Sequence, residues 1–198
     1  MSAVQTIGFV GVGKIGMPIS QNLIKNGYRV VGYRRSSLEE FEKIGGVPAR
    51  TAAEVGAQAD IVFSCLPSDA ALEEVVQGPD GLVRSARPGQ VVVELGSYPV
   101  PVKQRQVAPL AAKGAAFIDG EVAGTPGMVL ARKGVIFLAG DADACKKVEP
   151  VVAAFAESCI CLRMARSRSD IATLTKWCSR SSMCAAISSG SRSSWPFA

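Results

Sequence analysis

The chain has 198 residues, of which 48% are hydrophobic and 20% are charged, the composition of an ordinary globular protein with a buried core. Its net charge is +5, but residues 161–198 hold six basic residues and one acidic residue, so residues 1–160 are neutral and offer no footprint for a nucleic acid. Histidine is absent, which excludes Ser-His-Asp and Cys-His hydrolases, and no apolar run approaches the ~20 residues that cross a membrane.

Strands and helices are predicted to alternate along the first 160 residues. The apolar run 6–10 predicts a buried strand, and the helical spacing of apolar residues from Ile15 to Ile24 predicts a helix that ends at Asn26-Gly27. Further strands are predicted at 29–33, 61–66, 91–95, 116–119, 135–139 and 159–162, and further helices at 37–44, from 51, and at 70–76, 102–113 and 141–156. This order predicts an α/β fold of the Rossmann type, a doubly wound and mostly parallel sheet.

The loop Gly11-Val12-Gly13-Lys14-Ile15-Gly16 joins the first predicted strand to the first predicted helix. In this context Gly-x-Gly-x-x-Gly is the fingerprint of a dinucleotide site. Gly11 permits a tight turn, Gly13 lets the backbone approach a pyrophosphate, and Gly16 lets helix and strand pack closely. The unpaired N–H groups of the helix then face the phosphates.

The end of the second predicted strand, Tyr33-Arg34-Arg35-Ser36, indicates which ribose is bound. NAD-selective folds carry an Asp or Glu here, which would repel a 2′-phosphate. Guanidinium groups instead bind phosphate in a fork. The sequence therefore favours NADP as the cofactor over NAD, with Arg34, Arg35 and Ser36 around the 2′-phosphate.

A longer pattern resembles a known family. It comprises Gly8-Phe9-Val10-Gly11-Val12-Gly13-Lys14-Ile15-Gly16-Met17-Pro18, Asn22-Leu23, Gly27-Tyr28-Arg29-Val30, Ala59-Asp60-Ile61-Val62, Cys65-Leu66-Pro67, Gly78-Pro79-Asp80-Gly81-Leu82 and Pro88-Gly89-Gln90-Val91-Val92-Val93-Glu94. These residues resemble the N-terminal domain of the β-hydroxyacid dehydrogenases, which include 3-hydroxyisobutyrate dehydrogenase and 6-phosphogluconate dehydrogenase. The resemblance covers roughly residues 5–160.

The resemblance implies further site residues. Leu66 and Pro67 would line the adenosine side of the cofactor cleft, and Ser97 would lie near the nicotinamide. Segment 119–125 resembles the family's substrate loop, Asp-x-Pro-Val-Ser-Gly-Gly, so that Ala123, Gly124 and Thr125 would border the substrate. Ala123 stands where the family has a serine, which removes one hydroxyl donor.

The tail, residues 161–198, does not continue the resemblance. The family has a helical domain with the motif Lys-x-x-Asn-Asn, whose lysine is the general acid/base, and this motif is absent. Lys176 lacks the rest of the motif, so the catalytic residue is unknown. Ten of the 38 tail residues are serine, which is typical of a poorly ordered segment. We predict a Rossmann domain over residues 1–160 and a short irregular tail that arose by a shift of reading frame, or else is a genuine lineage-specific extension.

Three functions are consistent with this sequence. The first is an NADP-dependent oxidoreductase acting on a small β-hydroxy acid or its semialdehyde. The second is an NADP-binding module without turnover, and the third is an imine-reductase-like enzyme. The six cysteines lack the spacing of a zinc site, and the N-terminus lacks the pattern of a signal peptide. We expect a cytoplasmic protein with a small-molecule substrate, no metal, no membrane or nucleic-acid partner, and possible homo-oligomers that cover the exposed apolar surface.

Overall fold

The computed structural model describes residues 4–163. The first half of this region contains β1 (Thr6–Val10), α1 (Gly16–Lys25), β2 (Arg29–Tyr33), α2 (Glu39–Lys43), β3 (Val47–Pro48), α3 (Ala52–Gln58), β4 (Ile61–Ser64) and α4 (Asp69–Gln77). After a 3-10 turn at Leu82–Arg84, the second half contains β5 (Val91–Glu94), α5 (Val100–Ala111), β6 (Ala116–Ala123), α6 (Pro126–Leu130), β7 (Val135–Gly140), α7 (Ala142–Val152) and β8 (Ser158–Arg163).

The eight strands form one sheet in the order β3-β2-β1-β4-β5-β6-β7-β8. Strands β3 to β6 of this order run parallel, β7 is antiparallel to β6, and β8 is parallel to β7. The prediction of a Rossmann-like, mostly parallel sheet is therefore confirmed. None of the helices in residues 4–163 combines the length and the apolar character needed to cross a bilayer.

Helices cover both faces of the sheet because its central strands are apolar on both sides. On β1, Ile7 and Phe9 pack into one buried cluster with α1, α2, α6 and α7. Val10 points to the opposite face and packs with α3, α4 and α5. Helix α1, which follows β1, lies on the first face, and helix α3, which precedes β4, lies on the second. Strands β1 and β4 are neighbours in the sheet. This reversal opens a crevice at their carboxyl ends, which is where doubly wound sheets bind ligands.

Several elements differ in extent from the sequence prediction. β4 ends at Ser64 rather than Leu66, and α7 ends at Val152 rather than 156. β6 extends four residues beyond the predicted 119, because residues 119–123 pair with β7. The short elements β3 and α6 were not predicted. β8 runs to Arg163, past the predicted domain boundary at 160, and the predicted tail beyond Arg163 lies outside the described residues.

Asn22 ties α1 to α6 across a long sequence separation. Its side chain is 4% exposed, and its Nδ2 donates to the carbonyl oxygens of Val129 at 2.8 Å and Leu130 at 3.4 Å. These carbonyls lie at the C-terminal end of the short α6, where the Val129 oxygen also accepts the Arg132 N–H at 3.0 Å. Asn22 therefore positions the segment that follows the predicted substrate loop.

We predict that Asn22→Ala lowers the free energy of unfolding by about 1–2 kcal/mol, because it removes the buried hydrogen bond to Val129 and leaves a small cavity between α1 and α6. Lys25→Ala, at an exposed position of the same helix, is the control and is expected to change stability by less than about 0.5 kcal/mol. Chemical denaturation measures both. Equal effects of the two substitutions would contradict this role of Asn22.

Candidate functional site

The glycine loop after β1 is packed so closely that two of its three glycines have no room for a side chain. Gly11 has a φ of 92°, and a Cβ there would lie 2.2 Å from the carbonyl oxygen of Cys65. A Cβ at Gly16 would lie 2.4 Å from the Gly11 oxygen. Gly13 differs, since the nearest atom to a Cβ there is 4.0 Å away. Gly11 and Gly16 therefore serve the packing of the loop, whereas Gly13 leaves space at the surface.

A cavity of about 740 Å³ lies in the crevice between β1 and β4. Its wall contains nine of the residues predicted to bind the cofactor: Gly11, Gly13, Lys14, Ile15, Arg34, Arg35, Ser36, Leu66 and Pro67. Two others, Val12 and Gly16, are buried behind this wall. The structure thus brings together, in one cleft, the loop after β1, the segment after β2 and the segment after β4.

Arg34 and Arg35 occupy different environments at the end of β2. The Nη1 of Arg34 donates to the carbonyl oxygen of Val12 at 3.0 Å, and its Nε is buried without a hydrogen bond to any described residue. Arg34 therefore braces the glycine loop from the neighbouring strand. Arg35 and Ser36 are exposed and line the cavity, so their side chains are available to a ligand.

The opposite wall of the cavity comes from the start of α4, which sequence reasoning did not assign to the site. Ser68, Ala70, Ala71, Glu74 and Val75 contribute to it, together with Cys65 before the helix. The Tyr98 hydroxyl donates to the Leu66 carbonyl oxygen at 2.6 Å and so fixes the entrance to this wall. Burial, with the nearby charges of Glu94 and Glu121, raises the pKa of the Cys65 thiol to about 12, so it is protonated at neutral pH.

Ser97, predicted to lie near the nicotinamide, is not part of this cavity wall. It is exposed, and its hydroxyl lies 2.8 and 2.9 Å from the two carboxylate oxygens of Glu121 on β6. Burial raises the pKa of Glu121, and the hydrogen bond from Ser97 lowers it in part. Glu121 stands where the family loop has a proline, a signal that sequence reasoning quoted but did not use.

A buried polar network supports the carboxyl ends of β4, β5 and β6. Glu94 accepts hydrogen bonds from the Ser64 hydroxyl and, at 2.7 Å, from the Gly96 N–H. Burial raises the pKa of Glu94 to about 7, against the lowering effect of the Ser64 hydrogen bond. The sequence analysis named Glu94 within the family pattern but gave it no role, because a single acidic residue after an apolar run does not indicate its partners.

Lys103 of α5 completes this network. Both Lys103 and Asp119 have side chains that are 2% exposed, and they form an ion pair. The Lys103 Nζ also donates to the Gly120 carbonyl oxygen at 3.1 Å. Within residues 4–163, no group of three or more cysteine or acidic side chains is arranged to hold a metal ion.

The predicted substrate loop spans the end of β6 and the start of α6. Ala123 is the last residue of β6. The next residue, Gly124, lies against the backbone of Gly134: a Cβ added at Gly124 would be 3.3 Å from the Gly134 Cα. Thr125 caps α6, and its hydroxyl oxygen accepts the Met128 N–H at 3.3 Å. The Thr125 hydroxyl is therefore engaged within its own turn.

The cleft suits a phosphorylated nucleotide. A side chain at Gly13 would project into open space, so its absence exposes the backbone at the mouth of α1, where unpaired N–H groups attract anions. Lys14 and Arg35 add positive charge along the same wall. Apolar residues, including Leu66, Pro67 and Val75, form the opposite wall and suit a base ring.

We predict that Glu94 makes the stability of the protein depend on pH. Its pKa is raised in the folded protein from an ordinary value near 4.5 to about 7. The folded state therefore binds the proton more tightly, and stability is lost as pH rises from about 4.5 to about 7. This loss, up to roughly 3 kcal/mol, should disappear in Glu94→Gln. Denaturant titrations of both proteins at pH 5, 6, 7 and 8 measure it; a difference independent of pH would contradict it.

Comparison with known proteins identifies relatives for this region. A family model described as the NAD binding domain of 6-phosphogluconate dehydrogenase matches residues 6–163. The cytokine-like nuclear factor N-PAC of Mus musculus is 31% identical over 135 residues, which is 68% of this chain and 24% of that protein. The mitochondrial 3-hydroxyisobutyrate dehydrogenase of Mus musculus is 30% identical over 143 residues, 71% of this chain and 42% of that enzyme. The chain thus spans less than half of either relative.

Solved structures share the fold at lower sequence identity. Psf3 in complex with NADP+ and 2-OPP has a TM-score of 0.79 at 22% identity, over 86% of this chain and 59% of that one. An imine reductase variant from Myxococcus stipitatus, in complex with NAD+, has a TM-score of 0.77 at 17% identity, over 95% and 63%. With the match over residues 6–163, the chain belongs to the 6-phosphogluconate dehydrogenase and 3-hydroxyisobutyrate dehydrogenase-like family, through its NAD(P)-binding domain.

Proposed function

We propose that this chain is the NADP-binding part of an oxidoreductase that transfers a hydride between NADP(H) and a small 3-hydroxy acid or its semialdehyde. One observation carries the proposal. The open face of Gly13, the cationic Lys14 and Arg35, and an apolar wall line a single cavity of about 740 Å³. This combination supports a phosphorylated dinucleotide more than any other ligand class.

The preference for NADP rests on the segment after β2. Arg35 and Ser36 are exposed to the cavity at the place where NAD-selective folds hold the ribose with a carboxylate. A guanidinium group and a hydroxyl can both donate to a 2′-phosphate. Arg34 supports the same site from behind, through its hydrogen bond to Val12.

When bound, the cofactor supplies the hydride acceptor or donor at the nicotinamide ring. The backbone around Lys14, at the mouth of α1, would hold the pyrophosphate, which the missing side chain of Gly13 lets approach. Leu66 and Pro67 would contact the adenosine. Ser97 would lie beside the nicotinamide, with Gly124 and Thr125 at the substrate. In the oxidative direction, the carbinol C–H hydrogen would leave as hydride to that ring, and the hydroxyl proton would pass to water as the carbonyl forms.

A module that binds NADP without turnover is the second candidate. The matched segments are 24% and 42% of the two mouse relatives, and the Lys-x-x-Asn-Asn motif expected for the family is absent from this sequence. Imine reduction is a third candidate, supported by the fold shared with an imine reductase. The likeness of segment 119–125 to the substrate loop of the hydroxyacid enzymes favours the first two.

Titrations with NADPH and NADH, followed by turnover assays with a panel of 3-hydroxy acids, semialdehydes and cyclic imines, separate these candidates. We expect tight NADPH binding. Turnover of a hydroxy acid supports the enzyme, binding without turnover supports the module, and reduction of an imine alone supports the third candidate. Absence of affinity for both coenzymes would overturn the proposed function.

We predict that Arg35→Asp weakens NADPH binding at least about tenfold and leaves NADH affinity within about threefold, because it places a carboxylate against the 2′-phosphate. Lys113→Asp makes the same change of charge at an exposed position before β6, at the amino ends of the parallel strands and so away from the cavity, and should leave both affinities unchanged. Arg34→Asp is a poorer test, because it also removes the brace on the glycine loop. Equal loss of both coenzymes in Arg35→Asp would count against NADP selectivity.

We predict opposite outcomes for Ala at two glycines of the loop. Gly13→Ala should fold with near-normal stability, since the atom nearest to its Cβ would be 4.0 Å away. It should lose at least about tenfold in NADPH affinity, because the methyl group occupies the pyrophosphate approach. Gly16→Ala should lose stability, since its Cβ would overlap the Gly11 oxygen. Thermal unfolding and coenzyme titration measure the two properties. Full coenzyme affinity in Gly13→Ala would place the phosphates elsewhere.

A further inference from the structure

A third hydrophobic cluster lies on one face of the last three strands of the sheet. Its members within residues 4–163 all belong to strands: Ala123 of β6, Val135, Phe137 and Ala139 of β7, and Ile160 and Leu162 of β8. We call this surface the β7–β8 face. Helices α3, α4 and α5 contribute instead to the separate cluster over the neighbouring strands. Phe137 and Ala139 are 5% and 3% exposed, so the face belongs to the interior of the protein.

The register of the strands arranges this face in rows. Phe137 pairs with Glu121 of β6 on one side and with Ile160 of β8 on the other. In the next row, Ala139 pairs with Leu162. The apolar surface therefore continues to β8, which is the last strand at this edge of the sheet.

The chain leaves the sheet beside this face. β8 ends at Arg163, directly after Leu162. The other face of β8 is already occupied, because Cys159 and Cys161 pack there against the cluster that contains α7. A segment that continues from Arg163 and returns to the end of the sheet therefore has the β7–β8 face to pack on.

The remaining chain is long enough to reach the whole face. Residues 164–198 number 35, and ten extended residues already span about 33 Å. The distance across the face from β8 to β6 is only about 10 Å, or two strand spacings. Length therefore sets no obstacle to a return of this segment.

The segment 164–198 also has a composition that suits the face. Its large apolar residues are Met164, Ile171, Leu174, Trp177, Met183, Ile187, Trp195 and Phe197. It holds five basic residues and one acidic residue, whereas the face has the half-buried carboxyl group of Glu121 in the row of Ile160. Apolar contact and opposite charge therefore both favour contact between the segment and the face.

We propose that segment 164–198 docks on the β7–β8 face of its own chain, with the apolar residues 171–177 against Ile160 and Leu162. The segment supplies the second apolar layer that a sheet buried on both faces requires. Its attachment at Arg163 gives it an effective concentration on the order of millimolar, far above that of a second copy in dilute solution. Because Ala123 belongs to the same cluster, the docked segment borders the predicted substrate loop.

Tryptophan fluorescence tests the proposal on the full chain. Both tryptophans, Trp177 and Trp195, lie in the segment, so the emission reports on the segment alone. In dilute, reduced protein we expect emission shifted to the blue, and acrylamide quenching at least about threefold weaker than in a free peptide of residues 164–198. Trypsin should cut after Lys176 and Arg180 at least about tenfold more slowly than in the peptide, since cleavage follows the population of the undocked form.

Two substitutions test the place of docking. Ile160→Glu puts a charge on the face, and Leu174→Asp puts one on the segment, outside the strands, so that the sheet is left intact. Each should bring quenching and trypsin cleavage close to the values of the peptide. Val4→Glu is the matched control, because Val4 is 65% exposed, and it should preserve the protection. Far-UV circular dichroism checks the fold of each variant, and Leu174→Asp decides if Ile160→Glu does not fold.

Three results would overturn the proposal. The first is quenching and cleavage in the full chain equal to those of the peptide. The second is protection that Leu174→Asp leaves unchanged, which would place the segment elsewhere. The third is protection that increases with protein concentration together with a dimer in light scattering, which would make a second copy the occupant of the face. None of these measurements involves a coenzyme, so the outcome is independent of the proposed function.

Discussion

The site depends on the close approach of three backbone segments at the top of β1. The Gly11 N–H donates to the Tyr33 carbonyl oxygen at 2.8 Å, and Gly11 also lies directly against the Cys65 carbonyl group. This contact joins the ends of β1, β2 and β4 with no side chain between them. Because α1 starts at Gly16, packed on the same glycine, the direction in which its free N–H groups point is set by this contact.

The order of the strands decides which charged side chains lie on each side of this crevice. β2 lies on one side of β1 and delivers Arg34, Arg35 and Ser36, whereas β4, β5 and β6 lie on the other side. The carboxyl groups of Glu94, on β5, and Glu121, on β6, lie on that second side. The cationic side chains that follow β2 and the carboxyl groups of β5 and β6 therefore lie on opposite sides of the crevice between β1 and β4.

The parts of this site that sequence reasoning predicted are those set by short-range patterns. The glycine loop is recognisable because three glycines, a strand and a helix lie within twenty residues, and Arg35 because it follows the next strand at a fixed distance. The role of Arg34 as a brace was not predicted, since it depends on where one guanidinium points. Nor were the contacts of Lys103 with Asp119 and of Ser97 with Glu121, which join helix α5 and the loop after β5 to strand β6, over 16 and 24 positions of the chain. Contacts that depend on how elements are arranged in the sheet produce no periodic pattern in the sequence, so they cannot be predicted from it.

The reversal of β7 has a consequence for where the polypeptide goes next. Since β8 is parallel to β7, it descends from Ser158, level with Val135 and hence with Ala123, to Arg163, level with Gly140 below Asp119. The chain at Arg163 is thus heading away from the mouth of the crevice. Residues 158–162 of β8 lie level with residues 119–123 of β6, and the strand leaves that level only at its last residue. The side of β7 away from β6 is therefore covered by a strand along the whole stretch that carries the segment from Asp119 to Ala123.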